Sequence, residues 1–296
     1  MKEKAMTEVT KLSGSSVIVN LGLSVWTARK LDKRVSQEVD AAKSTKTRAG
    51  NYHKNLLAGS GKLEEITKLA GAIRTWHYNI TQPWGDNGDR ILPMTLFTDY
   101  RAQLTEYETA FATSVNTFLG EYDTLVAAAA FQLGDLFNRE DYPEREHIIA
   151  KFGFRYAFSP LPTSGDFRVD IGEQGLTELR THYESVMAER TTGMMKDAWD
   201  RLYDVLTKMS ERLADDTDSA GETKRKIFRD SLVDNAIDVC KLLKHFNTTN
   251  DTRLEAMRQQ LEETMRGVDA QSLRDSDVLR DQTKQKVDAL LDKFSL

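Results

Sequence analysis

From Thr95 to Asn138 the residues Phe97, Tyr100, Leu104, Tyr107, Phe111, Val115, Phe118, Tyr122, Leu125, Ala129, Leu133 and Leu136 recur at steps of three and four. That spacing lays apolar side chains along one stripe of an α-helix. About 42 residues at 1.5 Å rise give a helix of roughly 63 Å, longer than a compact domain is wide. Gly120 and Gly134 fall inside the run without interrupting its period. The same code resumes at Leu176 and continues through Leu213, then from Ile227 to Phe246, and in thinner stripes to Phe294. Thin stripes between dense charges suit pairwise coiled-coil packing. Five prolines and 17 glycines in 296 residues, with a mean hydropathy of −0.52, also favour long exposed elements over many short strands.

Two stretches depart from the helical period. Val17, Val19, Leu21, Leu23 and Val25 alternate with Ile18, Asn20, Gly22 and Ser24, which predicts a strand. FGFRYAFSPLPTSGDFRVDIG, residues 152–172, alternates on both sides of a Pro/Ser/Gly turn, with Arg155 and Arg168 facing away from the aromatic side. A lone hairpin is marginal in water, so the first strand is expected to join it in a three-stranded antiparallel sheet. The fold expected is therefore mainly α, with long antiparallel, coiled-coil-like amphipathic helices and one small sheet. Residues 1–215 form a helical body carrying the strand and the hairpin, and residues 216–296 a C-terminal helical region.

The net charge of −5 conceals an asymmetry. Residues 1–60 hold 11 Lys/Arg against 5 Asp/Glu, residues 61–195 hold 12 against 20, and residues 196–296 hold 18 against 21. After Trp26 the spacing of Ala28, Leu31, Val35 and Val39 predicts a helix capped by Thr27, with Arg29, Lys30, Lys33 and Arg34 near one side. Lys43, Lys46, Arg48 and Lys54 extend this basic stretch, with Tyr52 and His53 beside them. Such a cluster can neutralise phosphates of a nucleic acid or dock an acidic protein partner. TQPWGDNGDRILP, residues 81–93, reads as a loop in which Trp84, Asp86, Asn87 and Arg90 are candidates for contact with a partner.

Catalytic and metal chemistry finds no pattern. AGSGKL has Leu56 and Leu63 where a phosphate-binding loop needs Gly and Ser or Thr. His53, His77, His147, His182 and His245 do not pair with one another, or with Cys240, at zinc-ligand spacing. No cofactor or metal is expected, and the chain reads as non-enzymatic. A single cysteine fits a reducing cytoplasm, and VIVNLGLSVW and LVAAAAF are too short to cross a bilayer.

SVWTARKLDKRV after the first strand, and the FGFRYAF…DFRVDIG hairpin, resemble a group of tailed-phage and prophage proteins, some encoded beside MoxR-type AAA+ ATPases. The resemblance covers residues 15 to about 215 and implies a protein of the host cytoplasm, an assembly partner of an ATPase. Together with the long apolar stripe it gives the first functional expectation, a homo-oligomer working by protein–protein interaction. Two alternatives are a single-stranded nucleic-acid-binding protein using the basic N-terminal helix, and a pore-forming or membrane-remodelling helical protein.

Overall fold

The computed structural model describes residues 12–163, 172–217 and 223–294. Helices dominate, but eight strands among the described residues form three separate sheets, which corrects the expected single three-stranded sheet. The first sheet has the order β4-β5-β1-β6, with β1 at Ser16–Ser24, β4 at Gln82–Pro83, β5 at Asp89–Pro93 and β6 at Gly153–Pro160. In it β1 runs antiparallel to β5, Ser16 opposite Pro93 and Asn20 opposite Asp89. β2 (Arg29–Leu31) pairs with β3 (His53–Asn55), and β7 (Asp215–Thr217) with β8 (Thr223–Arg225). The second arm of the expected hairpin, Phe167–Ile171 with Arg168, lies outside the described residues.

The misread strands are short and carry turn-like residues. β5 sits inside the stretch read as a loop, where Pro83 and Pro93 occupy strand ends, the places a proline is tolerated. The turn between β4 and β5 closes through Trp84 N–H and Gly85 N–H to Asp89 O, with Gly88 at φ 87°. β2 sits inside the stretch read as a helix. Ala28 has φ 49°, which no helix interior permits, and the N-cap is Asp32, whose carboxylate accepts from Val35 N–H at 3.1 Å. Helix α1 then runs only from Lys33 to Ala42.

The chain divides into two compact units, Met1–Asn20 with Ile80–Thr98 and Phe158–Leu296, and Leu21–Asn79 with Asp99–Ala157. In the first, α5 (Gly172–Leu213) packs against α6 (Ser231–Phe246), α9 (Asp277–Leu291) and β4. α6 packs in turn on α7 (Thr252–Met265), and α7 on α9; α8 (Ala270–Asp275) joins α9. The α5 stripe of Met194, Ala198, Leu202, Leu206 and Met209 is fully buried among several elements. Shared burial of this kind, rather than a two-helix seam, overturns the coiled-coil expectation. Buried Arg280 donates to Leu213 O at 2.9 Å and Arg212 O at 3.1 Å, satisfying carbonyls at the end of α5 that have no helical partner, and also to Lys226 O at 3.0 Å beyond β8.

The second unit is built on α2 (Gly61–Ile80) and α3 (Phe97–Leu133), with the short α4 (Arg145–Ile149). α3 is 37 residues long and stops at Leu133, because Gly134 adopts φ 51° and opens a 3-10 turn. Its stripe is covered inside this unit. Phe111, Phe118, Tyr122 and Val126 share one core with Trp26, Leu56, Ile66, Ile73 and Ile148. Trp76 stacks on Tyr100 with ring centroids 4.8 Å apart, and His77 Nδ1 lies 2.9 Å from the Tyr100 hydroxyl. Much of the stripe thus meets apolar partners within this unit of the same chain. Among the described residues no helix is long and apolar enough to cross a membrane.

Candidate functional site

Among the described residues, exposed cations without carboxylate partners gather in residues 29–55 of the second unit. The segment runs through β2, the Asp32 cap, α1, an exposed loop and back through β3. Its base is closed by Leu56 N–H to Ala28 O at 2.8 Å. Inside it, buried Ser36 links three parts of the chain: its hydroxyl donates to Asp32 O at 2.6 Å and accepts from Tyr52 N–H at 3.0 Å. Asp32 N–H donates to Tyr52 O at 2.9 Å, so the Tyr52 backbone is fixed on both sides. Asp40 organises the loop, its carboxylate accepting from Ala49 N–H at 3.2 Å.

The β2–β3 register decides which cations are available. Lys30 stands directly opposite Lys54, a like-charge pair that costs stability unless neutralised. Asp141 neutralises it, 2.6 Å from Lys54 Nζ and 3.9 Å from Lys30 Nζ. Lys54 is only 6% exposed; it also donates to Leu136 O at 2.7 Å and lies 3.5 Å from Asp32. The Val35 amide, and with it the Lys54 ammonium, holds the Asp32 carboxyl below the usual carboxylate range despite the opposing effect of burial. Lys54 thus belongs to an internal clamp. The remaining sequence candidates do not share one helix side: Arg29 and Lys30 lie on β2, Lys33 and Arg34 on α1, Lys46 and Arg48 in the loop.

All six of these, with Lys43, are exposed. Arg34 lies 3.6 Å from Glu38 and donates to Asp135 O at 3.4 Å. Arg29, Lys33, Lys43, Lys46 and Arg48 have no ion-pair or hydrogen-bond partner for their side chains among the described residues. Five such cations within 20 residues attract anions by charge, and the two guanidinium groups can grip a phosphate bidentately. Sequence reading missed Asp141, which lies 87 residues from Lys54 and carries no local signal of the contact.

The other candidates lie apart from this cluster. Trp84, in the first unit, is 5% exposed and packs with Leu12, Ile91, Leu161, Met187 and Met194, so it is not an exposed anchor. Arg90 is tied to Thr81, donating to its hydroxyl at 2.6 Å and its carbonyl at 2.8 Å. Asp86 and Asn87 are exposed at the turn between β4 and β5. Arg155 is exposed on β6, and Arg168 lies outside the described residues. Cys240 is buried, and burial pushes its thiol up to about 11, the state of an inert thiol. Among the described residues no three His, Cys, Asp or Glu side chains are grouped so as to hold a metal ion. Comparison with protein-family models, with curated proteins and with solved structures returns no match.

Proposed function

We propose that the chain is a non-catalytic binding protein whose basic segment engages nucleic acid through the phosphate backbone. The observation behind this reading is the set of five exposed cations, Arg29, Lys33, Lys43, Lys46 and Arg48, left without carboxylate partners among the described residues of a chain of net charge −5. The acidic residues closest in sequence are already engaged, Asp32 with Lys54, Glu38 with Arg34 and Asp40 with the loop backbone. What remains is positive charge held in a fixed backbone frame, which suits contact with a row of phosphates and carries no base-sequence preference of its own. Self-association and an ATPase partner, both expected from the sequence, have no comparable observation behind them. Much of the α3 stripe that argued for self-association meets apolar partners within its own unit.

The reading is tested by fluorescence anisotropy with a labelled oligonucleotide of about 16 residues, the upper end of the length that one single-strand-binding domain covers. The quadruple variant Arg29→Glu, Lys33→Glu, Lys46→Glu, Arg48→Glu should retain its helical circular dichroism and bind at least about tenfold more weakly at about 50 mM salt. No binding by the unmodified protein, equal binding by the variant, or equally effective competition by polyglutamate would contradict the proposal.

A further inference from the structure

We infer that the basic segment selects unpaired over paired nucleic acid, because Tyr52 offers an exposed aromatic ring, on a backbone held by hydrogen bonds, on which a free base stacks. The inference rests on the phosphate-binding reading above and specifies the class of nucleic acid for the same site.

Three observations carry it. First, Tyr52 is 39% exposed, an aromatic residue in a run that is exposed from Ala41 to His53 and contains Lys43, Lys46 and Arg48. Second, its backbone is held on both sides, by Ser36 Oγ at its N–H and Asp32 N–H at its carbonyl. The backbone under the ring is therefore fixed before a ligand arrives, and only the two side-chain torsions of the ring remain to be ordered, a small entropic cost for so large a contact surface. Third, those bonds set Tyr52 beside Asp32, the link between the β2 cation pair Arg29 and Lys30 and the first α1 cation, Lys33. A strand whose phosphates lie along these cations presents its bases to the ring. Stacking on an aromatic face tolerates every base and demands an unpaired one, since duplex bases already stack on each other. Lys54, paired with Asp141, holds the β2–β3 ladder and takes no part in the contact.

The experiment compares the intact protein with Tyr52→Ala and Tyr52→Phe on three labelled probes of equal length: an oligothymidylate, an abasic oligodeoxyribose phosphate and a duplex. Tyr52→Ala should bind oligothymidylate about five- to a hundredfold more weakly, the range for loss of one base–aromatic stack. It should bind the abasic probe and the duplex as the intact protein does, and Tyr52→Phe should bind all three as the intact protein does. Thermal melting should be unchanged, because the bonds that fix this position come from the backbone. Unaltered oligothymidylate binding by Tyr52→Ala, with the abasic probe still bound, would overturn the stacking inference while leaving the phosphate reading intact. Failure of the intact protein to bind even the abasic probe would overturn the phosphate reading itself.

Discussion

Lys54 shows how much one side chain decides about this surface. Its ammonium reaches two carboxylates and the Leu136 carbonyl, and its removal leaves Asp32 and Asp141 facing each other with little solvent. Breaking one partner out of a buried pair costs far more than a surface ion pair is worth. Lys54→Met should therefore destabilise the protein by about 3 kcal/mol in chemical denaturation, with Lys46→Met as a near-neutral control. A change of less than about 0.5 kcal/mol at Lys54 would mean that the clamp is not holding the segment. In sequence the two lysines are indistinguishable, both lying in a basic run without an apolar pattern around them. Only the pairing of β3 with β2, which turns position 54 toward Asp141, separates the internal cation from the free ones. Trp84 carries the same lesson: a polar loop in sequence is a hairpin packed onto a core in the structure.

At the scale of elements, the long period-3.6 runs were legible and the short strands were not. α3 and α5 have nine and eight buried positions respectively, enough repeats for the stripe to stand out of the charge around it. β2, β3, β4, β7 and β8 have two or three residues each, too few for an alternation to register. Their pairing depends on partners as far away as Asn55 is from Arg29, which no local pattern encodes. The end of α3 was misplaced for a related reason: Gly134 keeps the apolar spacing while its backbone turns left-handed. Between α6 and α7 the elements are joined by charge as well as by apolar contact. Arg258 grips Glu255 bidentately at 2.7 and 2.8 Å, and Glu262 receives Arg258 at 2.7 Å and Lys244 from α6 at 2.9 Å. Arg258 above all, and then Lys244, pulls the Glu262 carboxyl down to about 2. Its pKa is lower folded than unfolded, so its stabilisation is full above the ordinary glutamate range and declines as pH falls from about 4.5 toward 2. Amide exchange in α7 should accelerate across that window relative to α2 in the other unit. Glu262→Gln should flatten the dependence in part, the remainder coming from Glu255, which Arg258 also lowers. Parallel acid profiles for the two helices would contradict the assignment.

For the molecule taken whole, the distribution of charge is what matters. A chain with pI near 5.7 repels polyanions on average, so affinity for nucleic acid has to come from one place where the balance is reversed. The N-terminal excess of cations was visible from the sequence, whereas the number of cations free to act was not, because ladder register and distant carboxylates set it. The most direct test of the central claim is the salt dependence of oligonucleotide affinity, plotted as log K against log salt concentration. Five unpaired cations contacting a single strand predict a slope of roughly −3.5, and each of Arg29→Gln, Lys33→Gln, Lys46→Gln and Arg48→Gln should make it less steep by about 0.7. A slope near zero, or one that none of the four substitutions alters, would contradict a phosphate-binding role for this segment.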